Sequence, residues 1–231
     1  MNLKISKSEG DYLKAIYHLT QQEETTNTVV LSELLNVKPP SVTSMLNKLV
    51  NQEPALVEYQ KWRGVKLTEP GKRLALQLLR RHRLIEQFLV ETLNYTWEEV
   101  HEEAEELEHV VSDKFEEHLS VLLGDPQFDP HGDPIPDRDL NFPQSDTMSL
   151  SSLPVNQAAV VRRVKISQSD LLSYLSQQGI IPGAKIKVQS RNPYDETLQL
   201  WVGDEESTYA LGPDISKLIF VEELGLLSKD E

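Results

Sequence analysis

Residues 29–50 of the chain read VVLSELLNVKPPSVTSMLNKLV, and this stretch decides the fold of the N-terminal region. Its first part, Val29 to Leu35, has the composition of a short helix, which the turn-forming segment Asn36 to Pro40 ends. From Ser41 to about Asn51 apolar residues recur every three or four positions, which predicts a second helix. A helix, a tight turn and another helix are the pattern of a helix-turn-helix motif.

The segments on either side extend this motif to a winged helix-turn-helix. Ser8 to Thr20 has helical apolar spacing after a Ser8 that can cap the helix. Ala55 to Tyr59 and Val65 to Thr68 have the composition of strands, and the glycine-containing segment between them suits a hairpin turn. We expect this hairpin to form the wing.

Two long amphipathic helices are predicted next, followed by a small β domain. The helices run from Thr68 to about Asn94 and from a capping Thr96 to Leu123, and side by side they offer a dimer interface. Asp125 to Pro154 is rich in Pro, Asp, Ser and Gly, which indicates a loop and a mobile linker. Strands are predicted at 158–161, 184–188, 197–202 and 220–222, with a helix at 169–178, which together suggest a small β-barrel.

Formal charge is unevenly distributed along the 231 residues. Residues 1–85 carry 13 Lys and Arg against 8 Asp and Glu, a formal charge of +5, whereas the whole chain has −14. The remaining residues therefore carry −19. Because DNA affinity comes largely from neutralising phosphates, this split predicts a DNA-facing N-terminal region on an acidic body. The alternative is an acidic protein with a chance basic face.

Composition excludes several kinds of protein and of metal site. The chain has no cysteine, which excludes disulfides and thiolate ligands and leaves oxygen and nitrogen donors for any metal. Its apolar runs fall short of the roughly 18 residues that a membrane span needs. Residues 1–7 lack the apolar core of a signal peptide. We therefore expect a cytoplasmic protein without a membrane partner.

The most informative stretch for chemistry is residues 101–109, HEEAEELEH. On a helix Glu105, Glu108 and His109 stand at positions i, i+3 and i+4 and can converge on one point, with His101 one turn earlier. Carboxylate and imidazole ligands suit Mn(II), Fe(II) or Zn(II), and a carboxylate-rich set favours Mn(II). The alternative is a solvated acidic helix face with incidental histidines.

A second pair of potential ligands lies on the preceding helix. His82 and Glu86 are one helical turn apart and could complete a site with His101. The basic residues on both sides of His82 suit a face directed to solvent or DNA equally well. Two such pairs on successive helices nevertheless favour a metal site over coincidence.

The second helix of the motif and the wing offer groups that bind DNA. The polar side of that helix consists of short donors, an amide and one cation, namely Ser41, Thr43, Ser44, Asn47 and Lys48. Such groups can reach base edges and phosphates. The wing residues Lys61, Trp62 and Arg63 are expected to contact the adjacent DNA backbone. The alternative is a helix-turn-helix that serves only protein contacts or folding.

These segments, in this order, resemble the diphtheria toxin repressor and manganese transport regulator family. The matching stretches are residues 8–17, 40–45, 63–68, 81–86, 101–113 and 131–136. The tail is similar to the family's SH3-like C-terminal domain, notably at residues 179–183, GIIPG. The resemblance implies a fold that is mainly α with small β elements, and a metal-dependent repressor that binds double-stranded operator DNA as a homodimer.

The resemblance also sets the expected domain boundaries. We expect a winged-helix DNA-binding domain at 1–74, a helical metal-binding and dimerisation domain at 75–142 and a linker at 143–155. An SH3-like, FeoA-like domain is expected at 156–231.

Two metal sites are implied by the resemblance. The primary site would consist of Asp11, Glu105, Glu108 and His109. The ancillary site would consist of His82, Glu86 and His101, with a further ligand from the C-terminal domain, for which Gln168 and Asp170 are the candidates. Asp11 rests on the resemblance alone, and it would link the DNA-binding domain to the ligands of the dimerisation helices.

Two positions bear on the choice of metal. The iron-sensing branch of the family typically has Met and Cys where this chain has Asp11 and Glu105, and both differences give harder ligands. We therefore expect Mn(II), with Fe(II) second and other divalent metals as substitutes. Lys14 stands where the shorter manganese regulators carry a Glu that helps hold a second ion, which argues against a two-metal cluster of that type.

The expected function is repression of manganese uptake genes, with no enzymatic activity and no small-molecule substrate. An Fe(II)-dependent repressor of the same family is one alternative. A helical carboxylate-bridged metalloenzyme is another, but it needs a Glu-x-x-His motif from each of two helices. Here the two pairs with that spacing, Glu98 with His101 and Glu106 with His109, both lie on the one predicted helix from Thr96 to Leu123. The third alternative is a DNA-binding protein whose acidic helix only solvates the dimer.

Overall fold

The computed structural model describes residues 5–21, 23–203 and 208–224, which fall into two compact units. The first unit comprises Met1–His82, Glu106–Glu116 and Pro136–Asn141, and the second comprises Arg83–Glu105, Glu117–Ile135 and Phe142–Glu231. The ends of the predicted outer domains, residues 1–4 and 225–231, lie outside the described residues. Each helix in the described ranges is too short or too polar to cross a membrane.

The first unit begins with the predicted winged helix-turn-helix. Its elements are α1 (Lys7–Leu19), α2 (Thr28–Leu34), α3 (Pro39–Val50) and the antiparallel strands β1 (Val57–Gln60) and β2 (Gly64–Leu67). Helix α4 (Glu69–Leu93) starts in this unit and continues into the second. The two prolines at the start of α3 are tolerated because a first helical turn needs no backbone N–H donors.

The cap of α1 differs from the prediction. Ser6, and not Ser8, is the N-cap residue: its hydroxyl accepts from the Glu9 N–H, and the Glu9 carboxylate accepts from the Ser6 N–H at 2.8 Å. This reciprocal capping box satisfies two backbone donors at the helix start. Ser8 lies inside the first turn.

One apolar core holds these elements together. Leu13 and Ile16 of α1 and Leu46 and Leu49 of α3 are completely buried in it together with residues of the hairpin. The wing turn depends on Gly64, whose φ is +91° and whose Cβ would lie 2.4 Å from the Thr26 carbonyl oxygen. A side chain there would be strained both by the backbone and by this close approach.

The predicted helix from Thr96 to Leu123 is interrupted. The structure has α5 (Val100–Leu107) and α6 (Asp113–Leu122), with a turn over residues 108–112. At the interruption, Arg81 Nη1 donates to the Glu108 carbonyl at 3.3 Å, and the Ser112 hydroxyl accepts from the Phe115 N–H at 3.2 Å. These bonds satisfy backbone groups that a continuous helix would pair internally. Glu108 and His109 therefore lie in a turn rather than on a helix.

The β domain lies in the second unit as one antiparallel sheet. Its strands are β3 (Met148–Ser149), β4 (Ala158–Val164), β5 (Lys185–Arg191), β6 (Leu198–Val202), β7 (Thr208–Leu211) and β8 (Ile219–Glu223), in the order β3-β8-β4-β5-β6-β7. Two helices accompany the sheet, α7 (Ser169–Gln177) and the short α8 (Pro213–Ser216). The expected fold class, mainly α with a small C-terminal β domain, is confirmed, although strand β7 was not predicted.

The β domain begins earlier than expected. Residues 148–153 fall within the predicted linker, yet β3 pairs with β8 and a 3-10 helix follows it at Leu150–Ser152. Leu150 and Leu153 are completely buried in the core of the domain. The second half of the predicted linker therefore belongs to the β domain.

Candidate metal centres and DNA-binding surface

Charged side chains from three elements of the first unit surround one buried carboxylate, that of Glu108. Helix α1 supplies Asp11 and Lys14, helix α4 supplies His82, and the turn after α5 supplies Glu108 and His109. We call these five residues the Glu108 cluster. The Glu108 side chain has no exposed surface.

Both oxygens of Glu108 have close partners. Lys14 Nζ donates to Oε1 at 2.6 Å, and His82 Nδ1 lies 2.7 Å from Oε2. Burial by itself raises the pKa of the Glu108 carboxyl, but the His82 hydrogen bond and the charges of His82 and Lys14 outweigh it and leave the pKa below its ordinary value. Glu108 is therefore ionised at neutral pH.

The imidazole of His109 has the environment of a metal ligand. Its Nε2 is buried, with Asp11 Oδ1 at 3.3 Å and Glu108 Oε1 at 3.1 Å, yet it satisfies hydrogen-bond geometry with neither oxygen. Asp11, Glu108 and His109 each offer a ligand atom, and these atoms lie within 4.8 Å of one another. Metal–ligand bonds of roughly 2.0–2.2 Å bring neighbouring ligand atoms to about 3 Å from each other. The three side chains thus fit a small divalent cation.

Glu105, the fourth predicted primary ligand, ends the segment Arg83–Glu105 and therefore belongs to the second unit. It is half-buried and precedes Glu108 by three residues in the chain. Its place in the primary site stays a prediction.

A second group of potential ligands lies within the second unit around Glu86, and we call it the Glu86 cluster. It comprises Glu86 of α4, His101 of α5, and Asp129 and His131 of the loop after α6. His101 Nδ1 lies 3.1 Å from Glu86 Oε1, and His131 Nδ1 lies 3.9 Å from Glu86 Oε2. Glu86, Asp129 and His131 are all buried, and each offers a ligand atom within 4.8 Å of the others.

The loop from Asp129 to Asp133 is folded around the Asp129 carboxylate. Asp129 Oδ1 accepts from the backbone N–H groups of His131 and Asp133 at 2.9 and 2.8 Å. Burial, and then the charges of Glu86 and Asp133, raise the pKa of Asp129 well above its ordinary value, against the opposing charge of Arg83. A bound cation would relieve the repulsion among these carboxyl groups, so this cluster also fits a divalent metal.

The Glu86 cluster differs from the predicted ancillary site in its residues. Asp129 and His131 were not predicted as ligands. His82 belongs to the first unit, where it contacts Glu108, and its ancillary role stays a prediction. Asp170 is exposed at the start of α7, and within the described ranges it belongs to none of the three groups that could hold a metal.

The predicted DNA-binding residues lie on the outer side of α3 and at the wing tip. Ser41, Ser44, Asn47 and Lys48 are exposed, whereas Thr43 is half-buried and its hydroxyl donates to the Pro39 carbonyl at 3.3 Å. The wing residues Lys61, Trp62 and Arg63 are all exposed. Trp62 is 90 % exposed, with Lys61 Nζ 5.5 Å from its ring centroid. A cationic aromatic tip beside a polar helix suits a nucleic-acid surface.

Models of known domain families match most of the chain. The N-terminal DNA-binding domain of iron-dependent repressors matches residues 4–65, and their metal-binding and dimerisation domain matches residues 68–137. The FeoA domain matches residues 148–223.

Individual relatives are similar to this chain over most of its length. The chain is 31% identical to the iron-dependent repressor IdeR of Mycobacterium bovis over 191 residues, which cover 78% of this chain and 82% of IdeR. It is 27% identical to the diphtheria toxin repressor of Corynebacterium diphtheriae over 223 residues, which cover 92% and 96%. A solved structure of a manganese-dependent transcriptional repressor in complex with manganese matches with a TM-score of 0.84 at 34% identity, covering 94% of this chain and all of that one.

The three matched domains follow one another along the chain in the order DNA-binding domain, metal-binding and dimerisation domain, and FeoA domain. The chain therefore belongs to the diphtheria toxin repressor and manganese transport regulator family, and it is a metal-dependent transcriptional repressor rather than an enzyme.

Proposed function

We propose that Mn(II) is the activating metal and that it binds at Asp11, Glu108 and His109, with Glu105 as a fourth ligand. The observation that carries this proposal is the donor set of the Glu108 cluster, in which two carboxylates and an imidazole offer ligand atoms to one point. The chain contains no cysteine, so thiolate, which favours softer or more thiophilic metals, is absent from the whole sequence. Oxygen-rich sites suit Mn(II), and Fe(II) is the competing ion.

The metal would supply positive charge that draws the ligands of different elements together. Asp11 belongs to α1, which packs in the core of the winged helix, whereas Glu108 and His109 belong to the turn after α5. Holding these ligands together fixes the turn against α1. Metal binding promotes repression only to the extent that the metal binds the DNA-competent arrangement more tightly than the others.

The Glu86 cluster is proposed as the ancillary site. Glu86 and His101 belong to the predicted set, and Asp129 and His131 are added because their ligand atoms lie beside Glu86. His82, one helical turn before Glu86, remains a candidate for the same site. Occupation of this site would oppose the burial and the charges of Glu86 and Asp133 that raise the pKa of Asp129.

We further propose that a homodimer binds a pseudo-palindromic operator in the cytoplasm and represses manganese uptake genes. Exposed apolar side chains support the dimer, namely Val110 and Phe115 in the first unit and Val121 and Leu122 in the second. Two recognition helices related by a twofold axis match half-sites one DNA turn apart.

The test is metal titration of DNA binding. Fluorescence anisotropy of a labelled promoter fragment is followed with Mn(II), Fe(II) and Zn(II) at equal free concentrations. We expect Mn(II) to promote DNA binding at the lowest free concentration. If Fe(II) promotes DNA binding at a lower concentration than Mn(II), then Fe(II) is the activating metal instead.

A matched pair of variants tests the ligand assignment. We expect Glu105→Ala to lose metal-dependent binding while remaining a folded dimer, as judged by circular dichroism and sedimentation. Glu102→Ala, an exposed acid on the same helix, should behave as the unchanged protein. A Glu105→Ala protein that still binds DNA only with Mn(II) would exclude Glu105 from the site.

A further inference from the structure

Glu9 is a buried carboxylate that joins the start of α1 to the recognition helix α3. Its residue is 4 % exposed, although it lies in the first turn of a surface helix. Oxygen Oε2 accepts from the Ser6 N–H and hydroxyl at 2.8 and 2.6 Å. Oxygen Oε1 accepts from Gln52 Nε2 at 2.5 Å and lies 3.3 Å from Lys48 Nζ. The carboxylate is thus held by its own helix cap on one side and by two residues from α3 and its end on the other.

Lys48 is the one cation on the polar side of α3 that we assign to DNA contact. Its side chain is 57 % exposed, so the ammonium group can reach either Glu9 or a DNA phosphate. One ammonium cannot neutralise both groups fully. A Lys held at a carboxylate releases fewer counterions from DNA, and counterion release supplies most of the sequence-independent affinity.

The same turn of α1 also contacts the Glu108 cluster. A Cβ on Gly10 would lie 3.0 Å from Leu78 Cδ1 and 3.1 Å from His109 Cε1, so the backbone at this position packs directly against the His109 ring. Asp11 follows at 3.3 Å from His109 Nε2. Three consecutive residues, Glu9 to Asp11, therefore contact the recognition helix on one side and the candidate metal ligand on the other.

We propose that Glu9 is a positioning residue that restrains Lys48 and so suppresses DNA binding that depends on neither sequence nor metal. The proposal deepens the repressor function, on which it rests for the assignment of α3 as the DNA-reading helix. Without Glu9, Lys48 contacts phosphate on any duplex. The difference in DNA affinity between the metal-free and the metal-bound protein then becomes smaller.

The variant that tests this is Glu9→Gln. The single side-chain oxygen of Gln can keep the capping bonds with Ser6, and its NH2 group can donate to the Gln52 amide oxygen once that amide has rotated. It carries no charge for Lys48. Binding to a scrambled duplex is measured without metal, in chelator, over a series of salt concentrations. We expect tighter binding, and a plot of log K against log salt that is steeper by about 0.9 per protomer, the value for one added phosphate contact.

Two further variants assign the effect to Lys48. In Glu9→Gln/Lys48→Met the gain in slope should disappear. Glu58→Gln serves as the matched control, because it also removes one acid, in the wing, where Glu58 pairs with Lys66 at 3.2 Å with both side chains exposed. An unchanged slope in Glu9→Gln, an equal gain in Glu58→Gln, or a gain that persists in the double variant would each overturn the proposal.

The outcome remains decisive if Glu9→Gln does not fold. Lys48→Met alone, with Glu9 intact, should reduce the slope by clearly less than 0.9, and a full loss of about 0.9 would contradict restraint by Glu9. The metal response separates this proposal from the repressor function. If the unchanged protein binds its promoter equally with and without Mn(II), the metal-sensing function fails, whereas the slope differences among these variants still test Glu9.

Discussion

The Glu108 cluster and the Glu86 cluster contain the same kinds of ligand but differ in how their charge is compensated. Glu108 is completely buried between Lys14 and His82, which lower its pKa despite burial. Asp129 is buried beside Glu86 and Asp133, and its pKa is raised. At Glu108 the neighbouring cations outweigh burial, whereas at Asp129 the charge of Arg83 does not outweigh burial and the charges of Glu86 and Asp133.

This difference has opposite consequences for a metal ion. At the Glu108 cluster a metal has to compete with the Lys14 ammonium for Glu108 Oε1. At the Glu86 cluster a metal would relieve repulsion that is already present. We therefore expect the first cluster to be stable without metal, and the second to gain more folding stability from metal.

The largest effect is expected for Glu108→Ala. Lys14 and His82 lose a buried partner, so the free energy of unfolding should fall by about 3 kcal/mol. Metal-dependent promoter binding should weaken by more than about 100-fold, because even an outer partner of a metal ligand is typically worth 10–100-fold. Urea denaturation and anisotropy check the two effects. Glu106→Ala is the control, since its side chain is 74 % exposed; equal losses in both variants would contradict a special place for Glu108.

Lys14→Met should sharpen the contrast by removing the internal cation. We expect Mn(II) affinity at the Glu108 cluster, measured by isothermal titration calorimetry, to rise by about 10-fold, which corresponds to about 1.4 kcal/mol. Without metal the protein should be less stable, because Glu108 loses one of its compensating partners. Lys7→Met, whose lysine pairs with Glu106 at the surface, is the control. A fall in Mn(II) affinity would show that Lys14 assists binding rather than competing with it.

Asp129→Asn tests the opposite behaviour of the second cluster. The amide oxygen can still accept from the His131 and Asp133 N–H groups, while the charge beside Glu86 disappears. We expect the metal-free protein to gain unfolding free energy, because the amide carries no charge that burial and the neighbouring carboxylates disfavour. The stabilisation added by Mn(II) should shrink. Asp139→Asn, at an exposed position, is the control, and a less stable metal-free Asp129→Asn protein would refute the repulsion argument.

The smallest effect is a difference in pH dependence. Because the folded pKa of Glu108 is lowered, its stabilisation is complete above the unfolded value of about 4.3 and is lost as pH falls through the folded pKa. Because the folded pKa of Asp129 is raised, its penalty is absent below about 3.9 and grows as pH rises through the folded pKa.

Urea denaturation between pH 2 and 8 in chelator reveals both signs. The deficit of Glu108→Gln relative to the unchanged protein should be constant above about pH 4.3 and should diminish as the pH falls below that value. The advantage of Asp129→Asn should be greatest near neutral pH and should also diminish toward pH 4. A pH-independent difference for either variant would contradict the corresponding pKa shift.

Periodicity predicted the winged helix well but not the interruption after α5. Apolar residues continue at helical spacing from Ala104 through Leu107 and Val111 to Phe115, so the sequence pattern stays in phase across the turn. At the turn, the Glu108 carbonyl accepts from Arg81, a residue that is distant in sequence. Ser112 before Asp113 was the local signal, because Ser is a preferred helix cap.

The sequence predicted more of the Glu108 cluster than of the Glu86 cluster, because only residues at regular helical spacing give a signal. Glu108 and His109 follow an acidic helix and were found by spacing, although they lie in a turn. Asp11 came only from the family resemblance, because a single acid on an amphipathic helix carries no signal of its own. Asp129 and His131 were missed because their loop has no period, and their side chains meet Glu86 only through the folded loop.

The loop that carries Asp129 and His131 rests on strand β4 at Gly132. A Cβ there would lie 1.8 Å from the Arg162 carbonyl oxygen, and the Val164 N–H donates to the His131 carbonyl at 2.8 Å. Truncating the chain before the β domain would remove strand β4, against which this loop packs, and would expose the His131 carbonyl to water. A shortened protein would therefore lose order at the Glu86 cluster even though Glu86, His101, Asp129 and His131 all remained in the chain.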